Sequence, residues 1–488
     1  MKVHASRLDV RFDPAGAFSR TYGKSSTAFW LDSSSVGASS FSYMGDAQGP
    51  NSAVVRFDML DGAVTVERRG PAQREVCDIF SYLQRELAGR AVDTADCPFD
   101  FACGYVGYLG YELKGILQGA RAARAPTPDA LWIFADRLIA FDHRKGETWI
   151  LCLDESAGLS LENETWVRSV RRALQDLAVT GAVATRKRPG RCTLEGLRWR
   201  HGPDEYRRLI GRALRAIREG ESYEVCLTNQ VVARCTVDPL SAYETLRRVN
   251  PAPYGAFFRS GELAVLCSSP ELFLRIDVSG LVTSKPIKGT APRDPEAALD
   301  ERNATELAAS VKNRAENLMI VDLLRNDLNR VCAVGSVHVP EMFAIETYST
   351  VHQLVSTVRG TLRQEMGIAD CVRAAFPGGS MTGAPKVRTM AIIDDLEGGP
   401  RGVYSGSLGY LSLKGSATLN IVIRTMVLNG TRLTIGTGGA IVALSDPNEE
   451  FEEIVLKVRA LLGALRQSGV DMRWEDLLAE PSGQTMTE

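Results

Sequence analysis

Ala256-Phe257-Phe258-Arg259, Leu263-Ala264-Val265-Leu266-Cys267 and Leu272-Phe273-Leu274-Arg275-Ile276 follow one another with only a few residues between them. Each is a short apolar or aromatic run bounded by turn residues, the pattern of a strand. Upstream, Asp204 to Glu219 sets Tyr206, Leu209, Ile210, Ala213, Leu214 and Ile217 at helical spacing, with Asp204 as a cap and Gly220 as a stop, and Tyr223 to Val232 reads as another strand. Downstream come a helical region from about Ala304 to Asn329, a glycine-rich run from Phe376 to Lys386, and strands at Gly406–Leu413, Ala417–Leu428 and Leu433–Val442. A last helix spans Asn448 to Leu465, with Asp446 placed to cap it. Strands and helices intermix without a βαβ rhythm, so the expected class is α+β, a large two-sheet β sandwich flanked by helices.

The first half is less regular. Thr27–Asp32 and Thr148–Leu153 read as strands, and Gly104, Gly107 and Gly110 recur among aromatics, which suggests close backbone packing. Residues 1–180 are expected to form an N-terminal subdomain, 181–201 a linker around the basic Arg186-Lys187-Arg188-Pro189-Gly190, 202–468 the catalytic region and 469–488 a flexible tail.

Composition narrows the function classes. Across 488 residues, 57 basic side chains face 59 acidic ones, which leaves no electrostatic footprint for nucleic acid. Ten cysteines without a C-x-x-C pair read as reduced, mostly buried thiols of a cytoplasmic protein rather than a zinc site. Met1 to Arg11 is too polar for a signal peptide, and nowhere is there an uncharged apolar run that could span a membrane.

Several groups have chemistry to offer. In Ser284-Lys285-Pro286-Ile287-Lys288-Gly289-Thr290, proline and glycine would hold Lys288 in place. Its amine becomes a nucleophile where the pocket stabilises the neutral form; an ordinary turn with a solvated lysine is the alternative. Glu316 lies in a helical stretch apolar enough to bury it, and a buried carboxylate needs a partner. Glu449, Glu453 and Lys457 lie four apart, off the core stripe of the last helix, and read either as a solvated ion-pair ladder or as a source of a ligand. Two carboxylates with waters and an anionic substrate suit Mg²⁺. The glycine-rich run reads as an anion-binding loop or as a tight structural turn. Arg424, on a strand face with Asn420 and Val422, is an inward arginine of the kind that holds a carboxylate, and Gly436 to Ala440 adds backbone donors. His352, inside an apolar alternation, has the setting of a satisfied core histidine.

Taken in order, Ser269-Pro270-Glu271-Leu272-Phe273, Pro286 to Thr290, the Glu316 helix, Pro377 to Lys386, Ile423-Arg424-Thr425 and Glu453 to Lys457 resemble the chorismate-utilising enzymes, densely from about Asp204 to Leu465. By this resemblance the fold is the chorismate-binding enzyme fold, and Glu316 and Glu453 hold Mg²⁺ against the ring carboxylate of chorismate. Tyr404, Arg424 and the amides at Gly439 and Ala440 would hold the enolpyruvyl carboxylate, Thr290 and His352 would line the ring, and Lys457 would complete the substrate site. Relatives that use water carry a lysine near Glu224, and anthranilate synthases usually carry alanine at Lys288.

The lysine at 288 points instead to the branch that makes 4-amino-4-deoxychorismate from chorismate and ammonia. There Lys288 attacks C2 and Glu271 acts as general acid. The implied product serves p-aminobenzoate and folate or a derived metabolite. No Gly-x-Cys-x-Gly elbow appears, so a glutamine amidotransferase subunit or domain is the expected ammonia source. Ser33 and Ser34 fall where relatives have an aromatic amino acid site. The rival readings are anthranilate synthase component I and a non-catalytic chorismate-binding regulatory subunit.

Overall fold

The computed structural model describes residues 1–9, 13–33, 41–118, 123–155, 158–180, 192–348 and 351–472. Ser34, residues 181–191 of the expected linker and the expected tail beyond Met472 lie outside them. The described strands form two twelve-stranded sheets. Between the sheets lie rings and aliphatic side chains from both, with Tyr43 and Tyr410 at 5.7 Å and Tyr108 and Phe258 at 6.1 Å between centroids. The other face of the first sheet buries Trp30, Phe257, Leu227 and Ile435 against helices that contribute Tyr206, Phe451 and Leu462. Each such side chain contributes roughly 1.5–3 kcal/mol on leaving water. The α+β two-sheet architecture with flanking helices is therefore as expected.

Neither sheet belongs to one half of the chain. Thr27–Asp32 pairs with Tyr254–Ser260, and Gly104–Leu109 with Ser407–Ser412. Within the stretch expected as linker, Thr193–Trp199 is a strand on Glu224–Thr236. The aromatic glycine run packs as expected: a Cβ at Gly107 would lie 2.1 Å from the Leu131 carbonyl oxygen.

The three strands in close succession do not share one sheet. Tyr254–Ser260 and Leu263–Ser269 belong to the first, and Leu272–Ile276 to the second, so the chain crosses at Pro270-Glu271. It crosses back at Val422 to Arg424. The expected single strand Ala417–Leu428 is two, Ala417–Ile421 in the second sheet and Thr425–Asn429 in the first. Arg424, with φ of 50°, makes the break, so it shares no continuous strand face with Asn420 and Val422. The crossings are tied together: Ile421 N donates to Glu271 O at 3.1 Å, Ser268 N to Arg424 O at 3.1 Å and Ser269 Oγ to Ile421 O at 2.6 Å.

Local chemistry corrects two further boundaries. The helical region expected at Ala304–Asn329 is two helices, Ala297–Ala309 and Val311–Asn329, because extended Ser310 ends the first and accepts from Asn313 N to cap the second. The helix Pro203–Arg218 starts from Gly202, and Asp204 sits in its first turn. The final helix, Pro447–Gln467, is capped by Asp446 as expected. All ten cysteines are free thiols, nine of them buried. No helix among the described residues is long and apolar enough to cross a membrane.

Candidate active site

The two crossings bring the sheets together at the end where Ile287–Pro292 of the second faces Glu224–Thr236 and Arg432–Ile441 of the first. Lys288 is buried there, and its Nζ donates to Glu224 Oε1 across the sheets at 2.6 Å. Burial alone would lower the pKa of this amine, but the Glu224 and Glu316 carboxylates outweigh it and hold the ammonium above the ordinary lysine range. The resting side chain is therefore charged, a correction to the expected neutral amine: the sequence pattern showed the burial but not the facing carboxylate.

The turn behind Lys288 is fixed by one asparagine. Asn317, on Val311–Asn329, donates from Nδ2 to Pro286 O at 3.3 Å and accepts from Ser356 Oγ at 2.5 Å, while Ser356 N also donates to Pro286 O at 3.2 Å. Gly289 has φ of +86°, and a Cβ there would sit 2.7 Å from the Asn313 side chain, so this turn requires glycine. Thr290, two residues past Lys288, is exposed and pairs with Gln353.

Glu271 is buried at the first crossing. Desolvation raises its carboxyl to about 7, while the Ser380 hydroxyl, Lys288 and the Ile287 amide pull the other way. Such a carboxyl still carries its proton near neutrality and can give it away.

Glu316 and Glu453 sit in the field of the same cations, Lys288 and Lys312. Glu316 is buried, and among the described residues it accepts no hydrogen bond or ion pair; desolvation pushes it up to about 7. Glu453 is half-exposed and bonded to Lys457 at 2.7 Å, so the expected ladder pair does form. Lys457 also donates to Gly438 O at 2.8 Å. Desolvation of Glu453 is outweighed by Lys457, Lys312 and Lys288, which hold it below the usual carboxylate range. No three His, Cys, Asp or Glu side chains among the described residues converge as a ready cation cage. The donor set nevertheless fits Mg²⁺, which takes one or two carboxylates and leaves its other positions to water and substrate oxygens. The unpartnered Glu316 is the observation that favours it.

Burial lowers the Arg424 pKa, and among the described residues its guanidinium makes no ion pair. Arg432–Ile441 outruns its neighbour Thr425–Asn429 beyond Ile435, so backbone groups around Gly439 and Ala440 on that side have no strand partner. The Tyr404 ring lies against Gly436, where a Cβ would come within 2.1 Å of it. A Cβ at Gly439 would meet Glu450 Oε2 at 3.0 Å.

Two expectations read differently. His352 is buried with both ring nitrogens engaged, Nε2 with Asp300 Oδ1 and Nδ1 with Thr347 Oγ1, each at 2.9 Å. It is a satisfied core histidine. The glycine-rich run is a packed turn and not an exposed anion loop: Cβ atoms at Gly378, Gly379 and Gly383 would meet Ile421, Leu323 and the Glu224 carbonyl within 2.7 Å. The following lysine, Lys386, turns inward to Asp327 Oδ2 at 2.6 Å, Ala375 O at 2.9 Å and Pro377 O at 3.0 Å.

At the expected aromatic amino acid site, Ser33 N donates to Ser42 Oγ at 3.1 Å, and the neighbouring Asp32 is bonded to Arg247 at 2.7 Å. Sequence reasoning missed Glu224 as the partner of Lys288, Asn317 as the brace of its turn and Lys312 as the partner of Glu450 at 2.8 Å. Asn317 alone left a local signal, a polar side chain inside an apolar helical run.

The class of this two-sheet fold is shown by comparison: the family model of chorismate binding enzymes matches residues 49–463. The chain belongs to that family. It is 47% identical over 476 residues to an aminodeoxychorismate synthase of Streptomyces pristinaespiralis, covering 96% of this chain and 66% of the relative. It is also 47% identical over 489 residues to one of Streptomyces griseus, covering 99% and 67%. The chain thus spans about two-thirds of the length of these relatives. Anthranilate synthase component I from Streptococcus pneumoniae shares the fold with a TM-score of 0.75 at 27% identity, over 93% of this chain and 99% of that one.

Proposed function

We propose that the protein aminates chorismate at C4 to give 4-amino-4-deoxychorismate, for p-aminobenzoate and folate or a derived metabolite. The observation that carries this reading is a buried lysine, Lys288, whose charge acts on a buried acid, Glu271, that keeps its proton near neutral pH. The Streptomyces relatives named aminodeoxychorismate synthase support it.

Arg424, Tyr404 and the unpaired backbone around Gly439 and Ala440 bind and orient the enolpyruvyl carboxylate, with Lys457 and Thr290 beside the ring. Glu316 and Glu453 would hold Mg²⁺, which supplies charge compensation for the ring carboxylate when bound. Lys288, having first given up its ammonium proton, bonds through Nζ to C2 as the C4–O bond breaks, and Glu271 gives its proton so that the hydroxyl departs as water. Ammonia then bonds to C4, the C2–N bond breaks with its electron pair returning to Lys288, and Glu271 takes a proton from the new ammonium. Pyruvate stays on the ring. His352 positions its strand through Asp300 and Thr347 rather than moving a proton. A glutamine amidotransferase subunit or domain supplies the ammonia, and the setting is cytoplasmic.

The test is to incubate the chain with chorismate, ammonium and Mg²⁺ and weigh the product. A para-aminated ring that retains the enolpyruvyl group is expected. Anthranilate with free pyruvate would move the protein to the other aminating branch, and binding without turnover would make it a regulatory subunit.

A further inference from the structure

Two buried ion pairs elsewhere in this molecule are completed by additional bonds. Glu397 takes Arg401 on both oxygens, at 2.7 and 2.8 Å, and also accepts from Thr228 N, while Arg401 reaches Met381 O and Cys226 O. Lys386 spends its three protons on Asp327 and two carbonyls. Such completion is what lets a buried charge pair offset its desolvation.

The pair at the active site is not completed in this way. Glu224 is fully buried, yet Oε1 has the Lys288 amine as its bonded partner and Oε2 has none. Lys288, also buried, makes no other hydrogen bond among the described residues. A structural bridge built so sparsely is a poor one. A contact of 2.6 Å between one acceptor and one reacting nitrogen does suit a proton that must leave and return.

The geometry points to Glu224 as the catalytic base that takes a proton from the Lys288 ammonium and so releases the amine that attacks chorismate. This rests on the lysine reading above. Transfer from Nζ to Glu224 turns a buried ion pair into a neutral acid and a neutral amine, so no unpaired charge is left in the chamber. The amine then bonds to C2 while Glu271 protonates the departing C4 hydroxyl. When ammonia expels the lysine, the freed amine recovers its proton from Glu224, and both groups are restored. Water and the aminated ring are the only products, and no oxidant or further reactant is needed.

The test compares E224Q, E224D, K288A and the E224Q–K288A double variant, each assayed with chorismate, ammonium and Mg²⁺. Thermal melting first confirms that each is folded. E224Q is expected to lose at least about 100-fold in kcat with KM for chorismate within about threefold, the range for removing a general base. Its lysine adduct, sought by intact-protein mass spectrometry after single turnovers, should form correspondingly slowly. E224D keeps a carboxylate and should recover part of the rate. The double variant should be no slower than K288A alone, because the base acts through the lysine. A slow K288A beside an E224Q that turns over and forms adduct at the wild-type rate overturns the role of Glu224 and leaves the lysine reading standing. A K288A enzyme with undiminished para-aminated product removes both.

Discussion

At Glu271, loss of water contact raises the carboxyl to about 7, so ionisation on the alkaline side of neutrality removes the proton that the leaving hydroxyl needs. With free ammonia held constant across a pH series, kcat should fall as pH rises through about 7. E271Q should lose about 10²- to 10⁴-fold in kcat, and its residual rate should lack that alkaline limb. A variant that kept the limb would place the controlling proton elsewhere. The candidacy of Glu271 came from the family resemblance carried by Ser269-Pro270-Glu271-Leu272-Phe273, not from its local setting. Glu224 was not legible, and the reason is physical. Tyr223 is 66% exposed while Glu224 is fully buried, the reverse of their hydropathies. Val225 and Leu227 pack toward the helices, which turns Glu224 and Cys226 toward the other sheet. Alternation gives the phase of a strand, but only the opposing sheet reveals that a lysine waits there.

Elements were legible wherever their ends are set by neighbours in sequence. Leu272–Ile276 and the cap of the last helix depend on local turn and capping chemistry. The break inside Ala417–Leu428 does not: Ile421-Val422-Ile423 reads as continuous strand, yet Arg424 takes φ of 50° and Ile421 O is bonded to the hydroxyl of Ser269, 152 residues away. The helix Val311–Asn329 shows how an element can carry a site and brace it at once. It buries Glu316, Asn317 and Asp327 alongside Ile320, Val321, Leu324 and Leu328. Replacing Asn317 with leucine keeps the volume but strips one donor from Pro286 O and leaves Ser356 Oγ without its acceptor. Urea unfolding should show a loss of about 1–3 kcal/mol, the cost of orphaned buried polar groups. Because the turn that aims Lys288 would loosen, kcat should fall more than KM rises. A stability loss with unchanged kcat would mean that Lys288 is aimed without the asparagine.

At the scale of the whole molecule, ligand, sheets and stability are coupled, because the groups that would grip one chorismate come from both sheets and from two helices. Glu316 shows the cost of keeping such a site without its cation. Its pKa rises from 4.5 to about 7, so the folded state binds its proton more tightly than the unfolded chain does. The stability tied to that proton is present below about pH 4.5 and is lost as pH rises through about 7. In a chelator, E316Q should therefore melt higher than wild type above pH 7, by an amount on the order of 2 kcal/mol, with the advantage vanishing toward acid pH. Magnesium and chorismate together should reverse the order, since only the wild type keeps the carboxylate that binds the cation. Two protein carboxylates leave most positions on the cation to water and substrate, so Mg²⁺ alone should raise the wild-type melting temperature little. At a hundredfold excess over its dissociation constant, chorismate with Mg²⁺ should contribute about 2.7 kcal/mol. The combined shift should exceed the sum of the separate shifts, because each ligand completes the site of the other. Strictly additive shifts would mean that cation and substrate bind apart, and Glu316 and Glu453 would then have to be read as a structural acidic pair.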